Sequence, residues 1–463
     1  MSLSSALGSA LSGLAANARR TDVIAGNLAN ALTPGYAPRA LGAEARLDGG
    51  VRVSGIARQL DPVILGDRRL ADSASAGAAA RADFAASLAR ALPSADVPGS
   101  LTERLSRFEA ALVTATARPE DDLRLDAVLR EADGLARALN AASAEIDILR
   151  SRADAQIAQA VEHVNGGLAR VEELNARIVT ARSTGQDTAT LEDLRQSEID
   201  ALAEYMPLRQ LDRSGGAVAL VTTGGALLLD GRAAEIAFEP TRIVTARMSL
   251  SDGQLSGLRI DGREVPATDA GPLGGGRLGA LFDNRDRLGP EAGAALDEVA
   301  RVLIERVEAL TPPPIPGLFT DAGARLDPTE TTGLAGRIAL TPAVDPERGG
   351  ALFRLRDGLE AGAPGGPADA PYLNALIASL AGPGSVSGAV SALEGAVAQT
   401  RLAAEDAVSF AFTRAGALRL IELEGGVDSD AELQRLLLVE QAFAANARMI
   451  QTIDDMMQTL LRI

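Results

Sequence analysis

The clearest hydrophobic pattern in the chain lies between Asp428 and Ile463. Mostly apolar side chains recur there every seven residues, and a second series follows three residues after each of them. The first series is Leu436, Phe443, Ile450 and Met457, and the second is Val439, Asn446, Ile453 and Leu460. This a/d heptad spacing predicts one amphipathic helix with an N-cap at Asp428 or Ser429. An apolar stripe cannot be left in water, so the helix needs a partner.

A second heptad series lies near the amino-terminal end, between Ser4 and Ala31. It runs through Leu7, Leu14, Thr21 and Leu28, with companion positions at Ala10, Asn17, Ile24 and Ala31. Gly8, Gly13 and Gly26 each weaken an isolated helix by about 1 kcal/mol relative to alanine, so this helix is expected to depend on packing. The two patterned ends favour pairing with each other or with other copies of the chain. Ordinary core helices of a globular bundle are the alternative.

Helical periodicity also dominates the middle of the chain, apart from one stretch with a different hydrophobic pattern. The predicted helices are 62–92, 101–117, 121–182, 191–205, 279–310, 372–381 and 386–423. Gly166-Gly167 is a weak point in the longest of them. Between Leu208 and Gly276, short apolar runs alternate with Gly, Asp and Ser, which predicts antiparallel β structure.

The remaining stretches are extended or irregular. Val51 to Leu60 alternates apolar and polar residues, as a strand does. Residues 311–371 are rich in Gly and Pro, with short extended pieces expected at Arg337 to Leu340 and Leu352 to Leu355.

We therefore predict a mainly α fold with a small inserted β domain. The predicted division is a terminal α-helical coiled coil (1–32 and 428–463), a long-helix bundle (33–207 and 277–427) and a small outer antiparallel β domain (208–276). Residues 311–371 form an irregular insertion in the bundle.

The composition of the chain argues against several classes of function. The formal net charge is −17, aromatic residues make up 3% of the chain, and no basic cluster interleaved with aromatics occurs. This balance argues against binding of nucleic acid or of an anionic membrane surface. No apolar run is long enough for a transmembrane helix, and no pattern typical of a cleaved signal peptide is expected.

Catalytic chemistry finds little support in the sequence. The chain has no Cys and one histidine, His163, in the middle of a predicted helix. A His-based metal site or a catalytic triad needs more such residues. Paired acids such as Asp121-Asp122 and Asp454-Asp455 are explained as charged helix faces. We predict a protein with no catalytic residues, no metal site and no cofactor, and not an enzyme.

Two stretches of sequence resemble the bacterial flagellar axial proteins. Residues Thr21 to Tyr36, TDVIAGNLANALTPGY, resemble the amino-terminal signature of that family. Residues Glu440 to Phe443 and Ala445 to Met456 resemble its carboxyl-terminal signature. In the middle, Leu191 to Ala203 followed by β structure, and Gly276 to Asp286 after it, resemble the hook-associated members.

The resemblance implies a structural component of the flagellum. It would form the junction ring between hook and filament and be needed for filament assembly; another axial protein, of the hook or rod, is the alternative. The implied partners are other copies of the chain, the hook protein, a second hook–filament junction protein and an export chaperone on the last helix. The implied location is extracellular, reached by type III export without a cleaved signal peptide.

Fourteen residues of the two patterned ends are the candidate assembly interface. They are Leu7, Leu14, Ile24, Leu28, Pro34, Gly35, Tyr36, Leu436, Phe443, Asn446, Ile450, Ile453, Met457 and Leu460. We expect the seam at Ile453 to be covered in the assembled state rather than in the single chain.

Overall fold

The computed structural model describes residues 3–33, 35–47, 49–266, 268 and 271–462. Helices dominate the described residues. The helices are α1 (Leu3–Ala29), α2 (Pro62–Ala91), α3 (Leu101–Thr116), α4 (Asp122–Ser183), α5 (Ala189–Tyr205), α6 (Gly276–Asp283), α7 (Gly289–Glu308), α8 (Phe353–Asp357), α9 (Pro371–Leu380), α10 (Val386–Glu424) and α11 (Ser429–Leu461). The predicted mainly α fold with small antiparallel sheets is confirmed.

The strands are short and pair in small antiparallel sheets. They are β1 (Arg39–Ala45), β2 (Val51–Arg58), β3 (Leu208–Asp212), β4 (Val218–Thr222), β5 (Leu227–Asp230), β6 (Arg232–Ala233), β7 (Ile236–Ala237), β8 (Leu258–Ile260), β9 (Arg263–Val265), β10 (Phe319–Asp321) and β11 (Ile338–Leu340). The sheets have the orders β1-β2, β3-β4-β5-β6, β7-β8-β9 and β10-β11. The stretch predicted as one β unit, 208–276, therefore holds two separate sheets.

The chain divides into two compact units. Unit 1 comprises Met1–Ser75, Glu162–Ile236 and Ala411–Ile463, and unit 2 comprises Ala76–Val161 and Ala237–Phe410. Helices α2, α4 and α10 contribute residues to both units. The three-part division predicted from the sequence remains a prediction.

The hydrophobic core of unit 2 is built from α3, the first part of α4, α7, α9 and the first part of α10. Phe108 and Phe319 meet edge to face in this core, with ring centroids 5.7 Å apart. Most of the other core residues are Leu, Val, Ile and Ala, which suits helix-on-helix packing.

Polar side chains of α4 bind the backbone of the segment that follows α5. In unit 1, Asn175 accepts from the amide of Val218 and donates to its carbonyl, and Asn165 bonds Ile236 in the same two ways. In unit 2, Asp154 accepts from the amide of Thr241. The strands stay small because α4 satisfies backbone groups that a wider sheet would otherwise pair.

The weak point predicted at Gly166-Gly167 does not interrupt α4. A β carbon on Gly167 would lie 2.7 Å from Cδ2 of Leu202, which belongs to α5. The missing side chain therefore lets α5 pack closely against α4. Glycine here serves packing, and the intact ladder of helical hydrogen bonds keeps the helix continuous.

The predicted helix 279–310 is broken by a π-helical turn, Asn284–Leu288, between α6 and α7. Arg285 in this turn is fully buried and donates to the fully buried Asp154 at 2.6 Å. One extra residue in the turn rotates the side chain inward, which is a common use of π-bulges.

Residues 311–371 hold more structure than the sequence predicts. Strand β11 lies within the extended piece expected at Arg337 to Leu340. The piece expected at Leu352 to Leu355 is wrong, because α8 covers it and Leu355 is buried in the core of unit 2. A single helical turn is too short to show a 3.6-residue period, so the sequence carries no signal for it.

Candidate assembly interface

Helices α1 and α11 pack against each other in an antiparallel arrangement within unit 1. Asn27 of α1 bonds Glu432 near the start of α11, at 3.1 Å. Gly13 lies opposite Asn446, where a β carbon would come within 2.9 Å of Nδ2. Leu3 lies beside Met456 near the other end of the pair. The two patterned ends of the chain thus pair with each other, which is one of the two arrangements that the sequence leaves open.

The candidate interface residues fall into three groups by exposure. Ile24 and Ile453 are buried, with 7% and 3% of their surface exposed. The half-buried residues are Leu7, Leu14, Tyr36, Leu436, Asn446 and Ile450. The exposed residues are Leu28, Gly35, Phe443, Met457 and Leu460. Pro34 lies outside the described residues.

The expectation for Ile453 is wrong. Its side chain is covered inside the single chain, because the antiparallel register places it opposite the turn of α1 that holds Leu7. The heptad pattern identifies the apolar stripe but gives no depth of burial. Small α1 side chains such as Ala10 cover only part of the wider α11 stripe.

Asn27 is the polar centre of this helix pair, and its side chain is fully buried. Its Nδ2 donates to the carbonyl of Arg39 at 2.9 Å and to Oε1 of Glu432. Its Oδ1 accepts from the hydroxyl of Tyr36 at 2.8 Å and from the amide of Arg39 at 2.9 Å. All four hydrogen-bonding positions of the amide are therefore used.

The sequence indicates Asn27 only as part of the motif from Thr21 to Tyr36. The signal for it is a polar residue directly before Leu28 of the apolar series of α1. The structure shows what the motif does: it ends α1, turns the chain and fixes Tyr36 and Arg39 on Asn27. Burial raises the pKa of the Tyr36 hydroxyl, although Arg39 opposes that shift.

Glu432 connects the amino-terminal motif to the start of α11. Its side chain is buried, and its Oε1 accepts from Asn27 and from Nη1 of Arg435, the latter at 2.7 Å. Asp428 caps the same helix by accepting from the amides of Asp430 and Ala431. The predicted N-cap is confirmed. The hydrogen bond between Glu432 and Asn27 holds the first turn of α11 at the end of α1.

The hairpin β1–β2 is fixed on α5 by arginine. Asp193 of α5 accepts from Arg39 at 2.7 Å and from Arg58 at 2.8 Å, and Arg58 also donates to Gln196 at 2.8 Å. The sequence predicts β2 but not β1, which contains three alanines and a glycine and has weak strand propensity.

A second ionic cluster joins α2, α5 and α10. Arg68 pairs with Asp72 at 2.8 Å, with Asp200 at 2.6 Å and with Glu422. Arg419 of α10 pairs with Asp72 at 3.1 Å. Burial opposes the charge on Arg68, but Asp200 and Glu422 hold its pKa above the ordinary value. This cluster anchors the part of α10 that leads into α11.

Large apolar side chains point outward along the same helices. On α11 the exposed ones include Leu437, Leu438, Phe443 and Leu460, of which Leu438 is 65% exposed. On the unit 1 part of α10, Phe412 and Leu423 are 71% and 70% exposed. Exposed apolar side chains of this size are typical of a protein–protein interaction site where they form one patch.

The described residues also bear on a metal site, a membrane span and the surroundings of the single histidine. Within the described ranges, no group of three or more acidic or histidine side chains is placed to hold a metal ion. Across the same residues, no helix has the length and apolar character needed to cross a membrane. His163 is exposed on α4 and stacks on Tyr205, with ring centroids 6.1 Å apart.

Models of three flagellar families match the chain. The flagellar hook-associated protein FlgK helical domain matches residues 94–311. The flagellar basal body rod FlgEFG protein C-terminal model matches residues 424–463, and the flagella basal body rod protein model matches residues 7–36. The last two matches cover α11 and most of α1, the helices that pair.

Known relatives agree with these matches. Flagellar hook-associated protein 1 of Salmonella typhimurium is 26% identical over 317 residues, which cover 64% of this chain and 56% of that protein. The protein of the same name from Escherichia coli K12 is 23% identical over 287 residues, which cover 59% and 52%. The chain thus spans about half the length of these relatives.

A solved structure of the flagellar hook junction protein FlgK from Burkholderia pseudomallei has 20% identity and a TM-score of 0.46, covering 56% of this chain and 47% of that one. The family models and the curated relatives confirm the resemblance found in the sequence, and they confirm a structural protein rather than an enzyme. The chain thus contains a match to the FlgK helical domain and is similar to the flagellar hook-associated proteins.

Proposed function

We propose that the chain is a subunit of the junction between the flagellar hook and filament, and that filament assembly requires it. Its similarity to the hook-associated proteins supports its assignment as an axial component of the flagellum. The finer assignment to the junction is supported by the match of the FlgK helical domain to residues 94–311.

The observation that carries this proposal is a terminal helix pair that leaves large apolar side chains uncovered. Helix α1 closes part of α11, with Val439 and Ile453 buried. Elsewhere on α11, Leu437, Phe443 and Leu460 are 59%, 47% and 60% exposed. Burying side chains of this size stabilises an assembly by roughly 1.5–3 kcal/mol each, so neighbouring subunits are the natural cover.

The proposed partners follow from this surface and from the family. Other copies of the chain would form a ring, with the hook protein on one side and a second hook–filament junction protein on the other. Before assembly, an export chaperone would cover the outward face of α11. The subunit would be exported unfolded, without a cleaved signal peptide, and would function outside the cell.

A hook or rod protein is the alternative within the same family of axial proteins. The two rod models match only the ends of this chain, at residues 7–36 and 424–463. The helical domain between them favours the junction.

Complementation of a deletion strain tests the proposal. We expect electron microscopy to show hooks without filaments in the deletion strain and full filaments with the wild-type chain. Phe443→Asp should fold as the wild type does, because its side chain is half exposed, and should fail to restore filaments. Gln451→Glu, an exposed position on the same helix, is the matched control and should restore swimming.

Ile453→Asp separates assembly from folding. Its side chain is 3% exposed, so the change removes burial worth roughly 1.5–3 kcal/mol and places a carboxylate in an apolar seam. The isolated subunit should therefore melt at a lower temperature, unlike Phe443→Asp. Normal swimming of the Phe443→Asp strain would contradict the assembly surface, and filaments in the deletion strain would contradict the junction role.

A further inference from the structure

A cavity of about 770 Å³ in unit 1 has walls of opposite charge to the rest of the protein. It is lined by the start of α2, the end of α4, α5, β3 and the turn before β4. Six arginines contribute to the wall, namely Arg58, Arg69, Arg182, Arg195, Arg209 and Arg213. The acids in the wall are Asp67, Glu192 and Asp212. Three of these arginines are already paired with carboxylates outside the wall: Arg58 with Asp193, Arg69 with Asp200 and Arg213 with Asp230. The positive charge that favours an anion in this cavity therefore lies at Arg182, Arg195 and Arg209.

One carboxylate, that of Glu192, serves two of these arginines. Arg182 donates to its Oε1 at 2.8 Å, and Arg58 lies 3.7 Å from its Oε2. Thr188 also donates to Oε1, at 2.7 Å. The charge of Glu192 is therefore shared between Arg58 and Arg182, and only part of it is left to balance a third guanidinium.

Arg195 is that third guanidinium, and it is 7% exposed. Its Nη1 donates to Oδ1 of Asn175 at 2.9 Å and to the carbonyl of Gly216 at 2.7 Å. Across the described part of the chain, no carboxylate lies within ion-pair distance of it. Its Nε and Nη2 make no hydrogen bond to those residues, yet neither atom is sealed off by the surrounding atoms. Two donors of a residue that lines the cavity thus remain available.

Gly216 allows Arg182 to lie close to the backbone that Arg195 binds. Gly216 has a φ of +82°, and a β carbon on it would collide with the guanidinium of Arg182. Glycine therefore allows one guanidinium to pack on its α carbon while a second binds its carbonyl. Burial lowers the pKa of Arg195 to about 10; Glu192 opposes the shift, and Arg58 and Arg182 add to it. Buried like charges of this kind are costly unless a counter-charge is present.

We propose that this cavity binds a small oxyanion such as phosphate, held by Nε and Nη2 of Arg195 together with the guanidinium of Arg182. The flat guanidinium edge matches two oxygens of a phosphate, and such charge-assisted pairs are the strong hydrogen bonds of proteins. The bound anion would supply the missing counter-charge and would join α4, α5 and the β3–β4 turn.

Titration calorimetry of the full chain with inorganic phosphate tests the proposal, with sodium chloride of equal ionic strength as the reference. We expect saturable binding to the wild type and at least about ten-fold weaker binding to Arg195→Gln. Arg195 also holds Asn175 and Gly216, so its loss can disturb folding. Arg182→Gln is the second variant, because that side chain is half exposed and its loss should weaken binding similarly. Arg170→Gln, on the exposed face of α4 and paired with Glu198, is the matched control.

Thermal unfolding gives an independent readout. Phosphate should raise the melting temperature of the wild type and of Arg170→Gln more than chloride does, since a ligand that binds the folded state stabilises it. It should not do so for Arg182→Gln. The absence of saturable phosphate binding to the wild type would overturn the proposal. Unchanged binding to both cavity variants would overturn it equally.

Discussion

Replacing Asn27 with leucine should loosen the terminal helix pair. The substitution keeps the branched arrangement of the side-chain heavy atoms and removes four hydrogen bonds at once. Those bonds join α1 to the turn at Tyr36, to β1 through Arg39 and to α11 through Glu432. The perturbation is therefore confined to the place where the two ends of the chain meet.

The expected loss of stability depends on which hydrogen-bond partners of Asn27 can bond to another group in the variant. Glu432 keeps its bond to Arg435, and the half-buried Tyr36 can turn its hydroxyl toward water. The amide and carbonyl of Arg39 lose a fully buried partner, and an unsatisfied buried group costs about 1–3 kcal/mol. Allowing for the extra apolar burial of leucine, we expect Asn27→Leu to destabilise the helix pair by about 2–4 kcal/mol.

Amide hydrogen exchange measures this loss locally. A cost of about 2–4 kcal/mol should speed the exchange of α1 and α11 amides roughly 30- to 700-fold if they open as a unit. Asn30→Ala is the control, since Asn30 donates to the nearby carbonyl of Gly26 and lies partly in solvent. It should cost less than about 1 kcal/mol. Equal exchange rates in wild type and Asn27→Leu would refute the role given to this amide.

Two further changes test packing and buried charge. Gly167→Ala should be less stable than Gly166→Ala by about 1–3 kcal/mol in thermal unfolding, because only the first meets the buried Leu202; equal stability would contradict the close approach of α5. Burial raises the pKa of Asp297, and hydrogen bonds from the amides of Ala335 and Gly333 oppose the shift only in part. The folded state therefore binds the carboxyl proton of Asp297 more tightly than the unfolded chain does. The stability of the wild type relative to Asp297→Asn should fall as pH rises from about 4 through the raised pKa, and a rise over that range would contradict the assignment.

The long helices could be predicted from the sequence because their patterns are long. Helix α11 shows four heptads and a capping Asp428, and the structure begins it at Ser429. Helix α4 was predicted as 121–182 and spans Asp122–Ser183. In both, many residues repeat the same signal, so local exceptions such as Gly167 do not hide it.

Short or contact-dependent features could not be predicted in this way. The five residues of α8 and the π-helical turn at Asn284–Leu288 are set by tertiary contacts, namely the burial of Leu355 and of Arg285. The same holds for the candidate interface. Phe443 and Ile453 both belong to the apolar stripe of the heptad pattern. Only the position of α1 leaves Phe443 exposed and buries Ile453.

The polar contacts between α1 and α11 determine the register of the pair, which the apolar contacts alone do not determine. A seam of alanine and leucine in heptads would match almost as well after a slip of seven residues. In the observed register, Asn27 meets Glu432 and Gly13 meets Asn446. After such a slip, Glu432 would lose Asn27, and Asn446 would face Ala6 or Arg20 instead of the open space above Gly13. Buried polar residues fix the register of other helix pairs at some cost in stability. We infer that Asn27 and Glu432 do so here, which keeps the outward face of α11 in one defined position for its neighbours.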